Sequence, residues 1–295
     1  MSANGALVRP LAIGVVAHAA LTRSGGAARV LTRSTASTYL RAGDEVVWLG
    51  ATPPLLHPRG IVVAGARTSD SREIRVALDW PPPWRPPTLR LDATAVPRLV
   101  AGWRRLAGGL ARVGPPVGLG ERLTGGRPRW PLDAAAPAAD ELARACGRDD
   151  PAAATAAALD LLGVGTGLTP SGDDFVGGVL FARSLLAETG VIDRAAWRRA
   201  RDTIVAAAPS RTHPVSAAVL GDLAVGIGWA PLHDLVPALA DESAGAAEQA
   251  ARRLVHIGHS SGWDLLAGFG AGLGSDPMRD GTAPARLRRS EGGPR

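Results

Sequence analysis

Up to about residue 92 the apolar positions fall in short, β-branched runs: Leu11–Ala20, Arg29–Thr32, Ser37–Leu40, Glu45–Leu49, Gly60–Ala64 and Glu73–Leu78. Each run is bounded by Gly, Pro, Ser or Asp, a punctuation that predicts strands joined by turns. The stretch DWPPPWRPP, residues 79–87, then interrupts any ladder, because proline lacks the backbone donor and holds its neighbour extended. A domain boundary or a long surface connection is expected there. Beyond it the period changes. Val96, Leu99, Val100, Trp103, Leu106 and Leu110 recur at spacings of three and four, predicting a helix from about 94 to 113 with one apolar face. Residues 114–131, GPPVGLGERLTGGRPRWP, are too rich in Gly and Pro for any element and are expected to be a loop. Helical patterns follow at about 138–146, 151–162, 172–188, 193–207, 214–226, 231–240, 244–257 and 262–273. Most open on Asp, Ser or Thr, and Pro151 and Pro170 suit first helical positions. The expected fold class is α+β: a β-rich N-terminal half, residues 1–92, followed by an α-helical C-terminal domain over 93–275, with 276–295 a disordered tail.

Composition narrows the chemistry. The 295 residues are 46% hydrophobic and 20% charged, ample for a packed core, and every one of the 33 cationic Lys or Arg side chains is Arg. A lysine Schiff base, a pyridoxal-phosphate anchor and a Walker-type phosphate lysine are therefore excluded. The net charge of +6 invites a nucleic-acid reading, but only Arg194, Arg198, Arg199 and Arg201 cluster, and the other cations are interleaved with Asp and Glu. With Asn and Gln appearing once each, GC-rich coding accounts for the arginines better than a dedicated groove; no nucleic-acid partner is expected. The lone Cys146 rules out a disulfide framework and fits a reducing cytoplasm. No segment has a signal-peptide layout or enough consecutive apolar residues to span a bilayer, so no membrane partner is expected and the chain should be soluble and cytoplasmic.

Candidate chemistry concentrates in GVGTGLTPSGDDFVGG, residues 163–178, where one helix ends, a glycine-rich turn intervenes and another helix starts. Glycines let a ligand approach the backbone, and free N–H groups at a helix start bind anions. Neither familiar phosphate loop is present, since no Lys follows and the preceding AAATAAALDLL reads as helix rather than strand. A second segment, GHSSGWDLLAGFGAG at 258–272, repeats the pattern S-G-x-D-φ-φ-x-G at an offset of 90 residues, with Ser171, Gly172, Asp174 and Gly178 matched by Ser261, Gly262, Asp264 and Gly268. In each, S-x-x-D reads as a capping box. For the shared Ser and Asp, two well-capped core helices and a functional site are equally good explanations. Asp173 has no counterpart in the echo, where Trp263 stands, and the paired carboxylates amid Gly165, Gly167, Thr169, Ser171 and Gly172 tip the balance towards binding. Asp173 and Asp174 are the candidate catalytic residues, as base, cation ligand or acceptor for a substrate amide.

Arg211 and Thr212 precede another helix start, where an Arg can fork onto a carboxylate or phosphate or simply lie on the surface. His259, Ser260 and Ser261 lead into the echo helix as further candidate substrate contacts, without the geometry of a triad. His213, His256 and His259 with Asp173 lack the ligand support a metal needs, and a core or hydrogen-bonding role is the better reading. His18, His57 and His233 carry no pattern, and the eight Trp read as packing. No cofactor and no metal is called for.

Three strings in order, GVGTGLTPSGDDFVGGVL, RTHPVSAAVL and IGHSSGWDLLAGFGAGL, resemble the AllH-type family over about 160–275, and only loosely over the first half. One branch of that family is a subunit of oxamate carbamoyltransferase, a multi-subunit enzyme of allantoin breakdown that moves a carbamoyl group between oxalurate with phosphate and oxamate with carbamoyl phosphate. The resemblance implies a carbamoyl- or acyl-transferase subunit in purine nitrogen catabolism. It would handle a small anion (carboxylate, phosphate or carbamoyl phosphate) beside other protein subunits, including one resembling acyl-CoA synthetases. A non-catalytic assembly or regulatory subunit is the alternative. The chain departs from the family motif at Thr166, where Pro is usual, and at His213, where Thr is usual, which leaves room for a related but different substrate.

Overall fold

The computed structural model describes residues 7–34, 37–51, 55–64, 71–79 and 82–274. The proposed tail at 276–295 lies outside these residues, as does Trp80. The first half forms one seven-stranded mixed sheet from β1 (Leu7–Val8), β2 (Pro10–Ile13), β3 (Ala27–Arg33), β4 (Ser37–Ala42), β5 (Glu45–Ala51), β6 (Gly60–Val63) and β7 (Glu73–Val76), in the order β1-β7-β3-β4-β5-β6-β2. The β3–β4 and β4–β5 pairs are antiparallel, whereas β5 pairs parallel with β6. The run Leu11–Ala20 is not one strand. It splits at Gly14 into β2 and helix α1 (Val15–Arg23), whose Ala17, Ala20 and Leu21 are buried. Small Ala side chains let α1 lie flat on one face of the sheet, against Leu40, Val47, Leu49, Ile61 and Ile74. Because side chains alternate along a strand, Tyr39 and Trp48 point from the other face into a second core.

That second core belongs to the helices α2 (Val96–Ala107), α3 (Ala136–Gly147), α4 (Pro151–Leu161), α5 (Ser171–Thr189), α6 (Arg194–Arg211), α7 (Pro214–Leu223), α8 (Ala230–Ala240), α9 (Ala244–Val255) and α10 (Ser261–Gly272). The architecture is α+β. Where the sequence predicted one helix over 94–113, α2 ends before two glycines and a short 3-10 turn completes the run at Leu110–Arg112. The stretch 114–131 is not merely loop either: Gly118–Thr124 is a 3-10 helix laid on α10, with Leu119 and Leu123 buried. Of the tryptophans, Trp130 is 85% exposed, contrary to the packing expectation.

Helix α5 lies at the centre, with 15 of its 19 residues buried. A helix apolar all round must be enclosed, and α10 is its main neighbour. Sheet and helices are joined by charge as well as by packing. Arg59 forks onto both oxygens of Asp222 at 2.6 and 2.9 Å and also reaches Glu45 at 2.7 Å. Burial outweighs this pairing at Asp222 and pushes its carboxyl up. His57, 1% exposed, sits between Trp48 and Trp229 with ring centroids 4.8 and 4.6 Å away. Burial holds its imidazole well below the usual histidine range.

Candidate functional site

The 90-residue echo turns out to be a contact between the two copies. A methyl placed on Gly178 would lie 2.3 Å from the Leu265 carbonyl, and one on Gly268 would lie 1.9 Å from the Phe175 carbonyl. Phe175 and Leu265 are themselves echo partners, so each motif glycine rests on the other helix's matching residue, as an approximate two-fold between α5 and α10 requires. The same symmetry appears at the helix starts. A methyl on Gly172 would lie 2.0 Å from the Leu161 carbonyl at the end of α4, and one on Gly262 would lie 2.0 Å from the Leu254 carbonyl near the end of α9. Only glycine allows backbones so close.

The hydroxyls do not form the expected capping boxes. Pro170 is the N-cap of α5 and Ser260 that of α10, neither with a side-chain cap, so Pro170 stands one place before the first helical residue. The serines reach across instead: Thr169 and Ser261 hydroxyls are 3.0 Å apart, and those of Ser171 and Ser260 are 3.3 Å apart. The hydroxyls of Ser261 and Thr169 face Asp174 and those of Ser171 and Ser260 face Asp264, close enough to oppose the rise of each carboxyl, so each carboxylate has a hydroxyl of the opposite helix beside it. A capping box needs its serine turned back along its own helix. Here the close helix crossing sets the hydroxyls of the two helix starts against each other instead.

Asp174 and Asp264 are 3% and 0% exposed, and Oδ2 of each has no hydrogen-bond partner. Oδ1 of Asp264 accepts the Leu119 N–H at 2.6 Å, and a methyl on Gly118 would lie 2.4 Å from the same oxygen. Burial pushes the Asp174 carboxyl well above the usual range, with the nearby Asp264 and Asp173 charges adding to it and the hydroxyls of Ser261 and Thr169 opposing. Asp264 is raised by burial to about 6 against the same kind of opposition, from two serine hydroxyls and two backbone N–H groups. Burial therefore favours the protonated form of Asp174 over the charged one.

Asp173 is placed differently. Its Oδ1 accepts the Gly163 N–H at 2.7 Å, and its Oδ2 accepts the hydroxyls of Ser216, at 2.6 Å, and Thr212. It ties the glycine-rich loop to the α6–α7 junction with both oxygens in use. In that loop Gly163, Gly165 and Gly167 have φ of 81°, 120° and 96°, alternate left-handed positions that explain the spacing G-x-G-x-G. Gly167 is exposed, with open space beyond it. The helix starts offer few free donors, since the Gly172 N–H goes to Val164 and the Gly262 N–H to Ile257. Arg211 donates to the Leu159 carbonyl at 2.8 Å near the end of α4. His259 is exposed, His256 Nδ1 contacts the Arg252 carbonyl at 2.5 Å, and His213 caps α7 through the Val215 N–H. Among the described residues no group of three or more His, Cys, Asp or Glu is placed to hold a metal.

Thus the fold brings together Thr169, Ser171, Asp174, Ser260 and Ser261, and sets Asp173 with Thr212 behind the loop. Two contributors went unnoticed in the sequence. The Gly118–Leu119–Gly120 backbone meets Asp264, and its G-x-G spacing inside a proline-rich stretch was the available signal. Tyr39, the single Tyr of the chain, comes from the sheet; burial raises its phenol and the Asp174 charge adds to the rise. Nothing local marks it.

Residues 161–273 match a family model described as oxamate carbamoyltransferase subunit AllH. No curated protein matches the chain. No solved structure matches it either. No helix among the described residues is long and apolar enough to cross a membrane. The matched span runs from the end of α4 through α10 and so contains both motif helices and their crossing, and it is over this segment that the chain is similar to the AllH family.

Proposed function

We propose that this chain is a subunit of a carbamoyltransferase-type complex in purine or allantoin nitrogen catabolism, binding a small oxamate- or oxalurate-like anion where α5 and α10 begin. The observation that carries the reading is the meeting of the two helix starts: four hydroxyls in cross-helix pairs around two buried carboxylates, each with one oxygen unpaired. Asp174, its protonated form favoured by burial, would donate to a carbonyl or developing oxyanion of the transferred group, as preorganised donors do in acyl transfer. Asp173 would act as a positioning residue, fixing the loop of Gly165 and Gly167 over the anion. Arg211 would supply positive charge at the rim, and a further subunit, of the acyl-CoA-synthetase-like kind, would complete the active centre in the cytoplasm.

The second reading, an assembly or regulatory subunit, is favoured by a different observation. A cleft of about 480 Å³ runs along the same helices, lined by Phe175, Ala267 and Arg122, yet neither Asp174 nor Asp264 is in its wall. Thermal-shift titrations with oxamate, oxalurate, carbamoyl phosphate and phosphate separate the two. A ligand that binds only the folded chain raises its melting temperature in proportion to the logarithm of concentration above Kd. The substrate-site reading expects such a rise in the wild type and a smaller one in Asp174→Asn. No rise with any of the four, alone or with partner subunits present, leaves the assembly reading standing.

A further inference from the structure

Three of the four arginines of the cluster visible in the sequence, Arg194, Arg198 and Arg201, lie in the wall of a second cleft, of about 520 Å³, on another side of α5. It is formed by the segment after the sheet at Arg85–Leu89, by α5, by α6 and by the turn at Ala224–Ile227. Five guanidinium groups line it, from Arg85, Arg183, Arg194, Arg198 and Arg201, against a single carboxylate, Glu188. Arg194 pairs with Glu188 at 2.7 Å and Arg201 with the neighbouring Asp202 at 2.7 Å. Among the described residues Arg85 and Arg198 form no salt bridge, so the cleft keeps an excess of positive charge.

Arg183 is the most telling member. It is 4% exposed, stacks on Trp197 at 4.4 Å, donates to the Cys146 carbonyl and touches Asp149 only at 3.4 Å. The Asp149 oxygen it touches is already taken by the Trp197 Nε1–H at 2.6 Å, and Arg183 Nε has no partner at all. Leaving a buried guanidinium so sparsely compensated is costly. His233 repeats the pattern. It is 3% exposed, its Nε2 accepts the Gly228 N–H at 3.1 Å, and the proton of the neutral ring therefore sits on Nδ1, which makes no hydrogen bond of good geometry although the Pro87 carbonyl faces it closely enough to raise its basicity. Burial is the larger influence and holds the ring's pKa down.

We propose that this cleft binds an organic polyphosphate of nucleotide size, its phosphates held by Arg85, Arg198 and Arg201 over the buried Arg183 and its body resting on the apolar wall of Leu89, Leu180 and Ile227. The charge asks for an anion carrying more than one negative charge. Forked guanidinium groups match phosphate oxygens two at a time, and in a chain without lysine arginine is the only cationic side chain available for the task. The volume is that of a small-molecule site and far exceeds a lone phosphate. A concave, partly buried cleft of this size also favours a small molecule over an acidic stretch of another protein.

Isothermal titration of the full chain with ATP, tripolyphosphate, adenosine and an oligoglutamate peptide tests this. The expected result is ATP binding in the range of about 10–100 µM, weaker binding of tripolyphosphate and none of adenosine. Arg198→Glu should weaken ATP by ~10-fold or more, whereas Arg199→Glu, the adjacent exposed position outside the cleft, should change it less than about threefold. The proposal is overturned by absence of ATP binding at millimolar concentration, by equal losses in the two variants, by tripolyphosphate binding as tightly as ATP, or by the peptide binding more tightly than ATP.

Discussion

Replacing Asp264 by Asn should remove a pH-dependent destabilisation that the wild type carries. Asp264 is fully buried, and its carboxyl is lifted from 3.8 to about 6 in the folded chain. A group whose folded pKa is raised contributes no penalty below the unfolded value, where both states are protonated. As pH rises from about 4 through 6 the unfolded chain releases the proton first, and stability falls; above the folded pKa the loss is complete. Two units correspond to about 3 kcal/mol, of which roughly 2–3 kcal/mol develops between pH 4 and pH 7.5. Asparagine imitates the protonated acid: its Oδ1 can still accept the Leu119 N–H, and its amide takes the place of the unpaired Oδ2. Urea unfolding of wild type and Asp264→Asn at intervals over this range should show the stability difference between them shifting in favour of the variant by that amount as pH rises. Ion-paired surface carboxylates such as Glu141 and Glu248, lowered by their arginines, are common to both chains and cancel in the difference. A constant difference across the range would refute the view that burial of Asp264 as a charged group strains this helix crossing.

Gly268→Ala should destabilise the chain by ~3 kcal/mol or more, because its methyl would fall 1.9 Å from the Phe175 carbonyl and neither helix can withdraw without opening the crossing. Gly221→Ala, in α7 with open space around the new methyl, should instead stabilise by about 0.5–1 kcal/mol through helix propensity, and thermal unfolding of the pair checks both signs. Arg59→Met should cost about 3–5 kcal/mol, since it leaves the buried Asp222 without either of its guanidinium bonds at the junction of sheet and helices. Restoring stability with Asp222→Asn in the same chain would confirm the cause, and an unstable double variant would sink it.

Much of the architecture follows from local pattern. The period of two in Ser37–Ala42 sends Thr38, Leu40 and Ala42 to one side of the sheet and Tyr39 to the other without help from elsewhere. Asp150 before Pro151 caps α4 through the Ala153 N–H at 3.0 Å as the sequence predicts. Local pattern misled where tertiary contact overrode it. Val15–Arg23 has a strand-like apolar run but folds as a helix because it must cover a finished sheet, and Gly118–Thr124 gains its turn by lying against Trp263 and Asp264.

The candidate site divides along the same line. The echo at 90 residues, its serines, aspartates and glycines, and the left-handed turns of Gly163, Gly165 and Gly167 are all carried by the sequence, because backbone strain and helix starts depend on near neighbours. Sequence also fixed the choice of arginine for every long-lived positive charge. The tertiary structure alone decided that the two echoes face each other, that Ser171 meets Ser260 and Ser261 meets Thr169, that Asp173 is occupied by Gly163, Thr212 and Ser216, and that Tyr39 arrives from the sheet. The physical reason is that a hydroxyl or carboxylate bonds to whatever partner lies within about 3 Å. When glycines draw two backbones into contact, that partner belongs to the other helix, at a sequence distance no local rule can read.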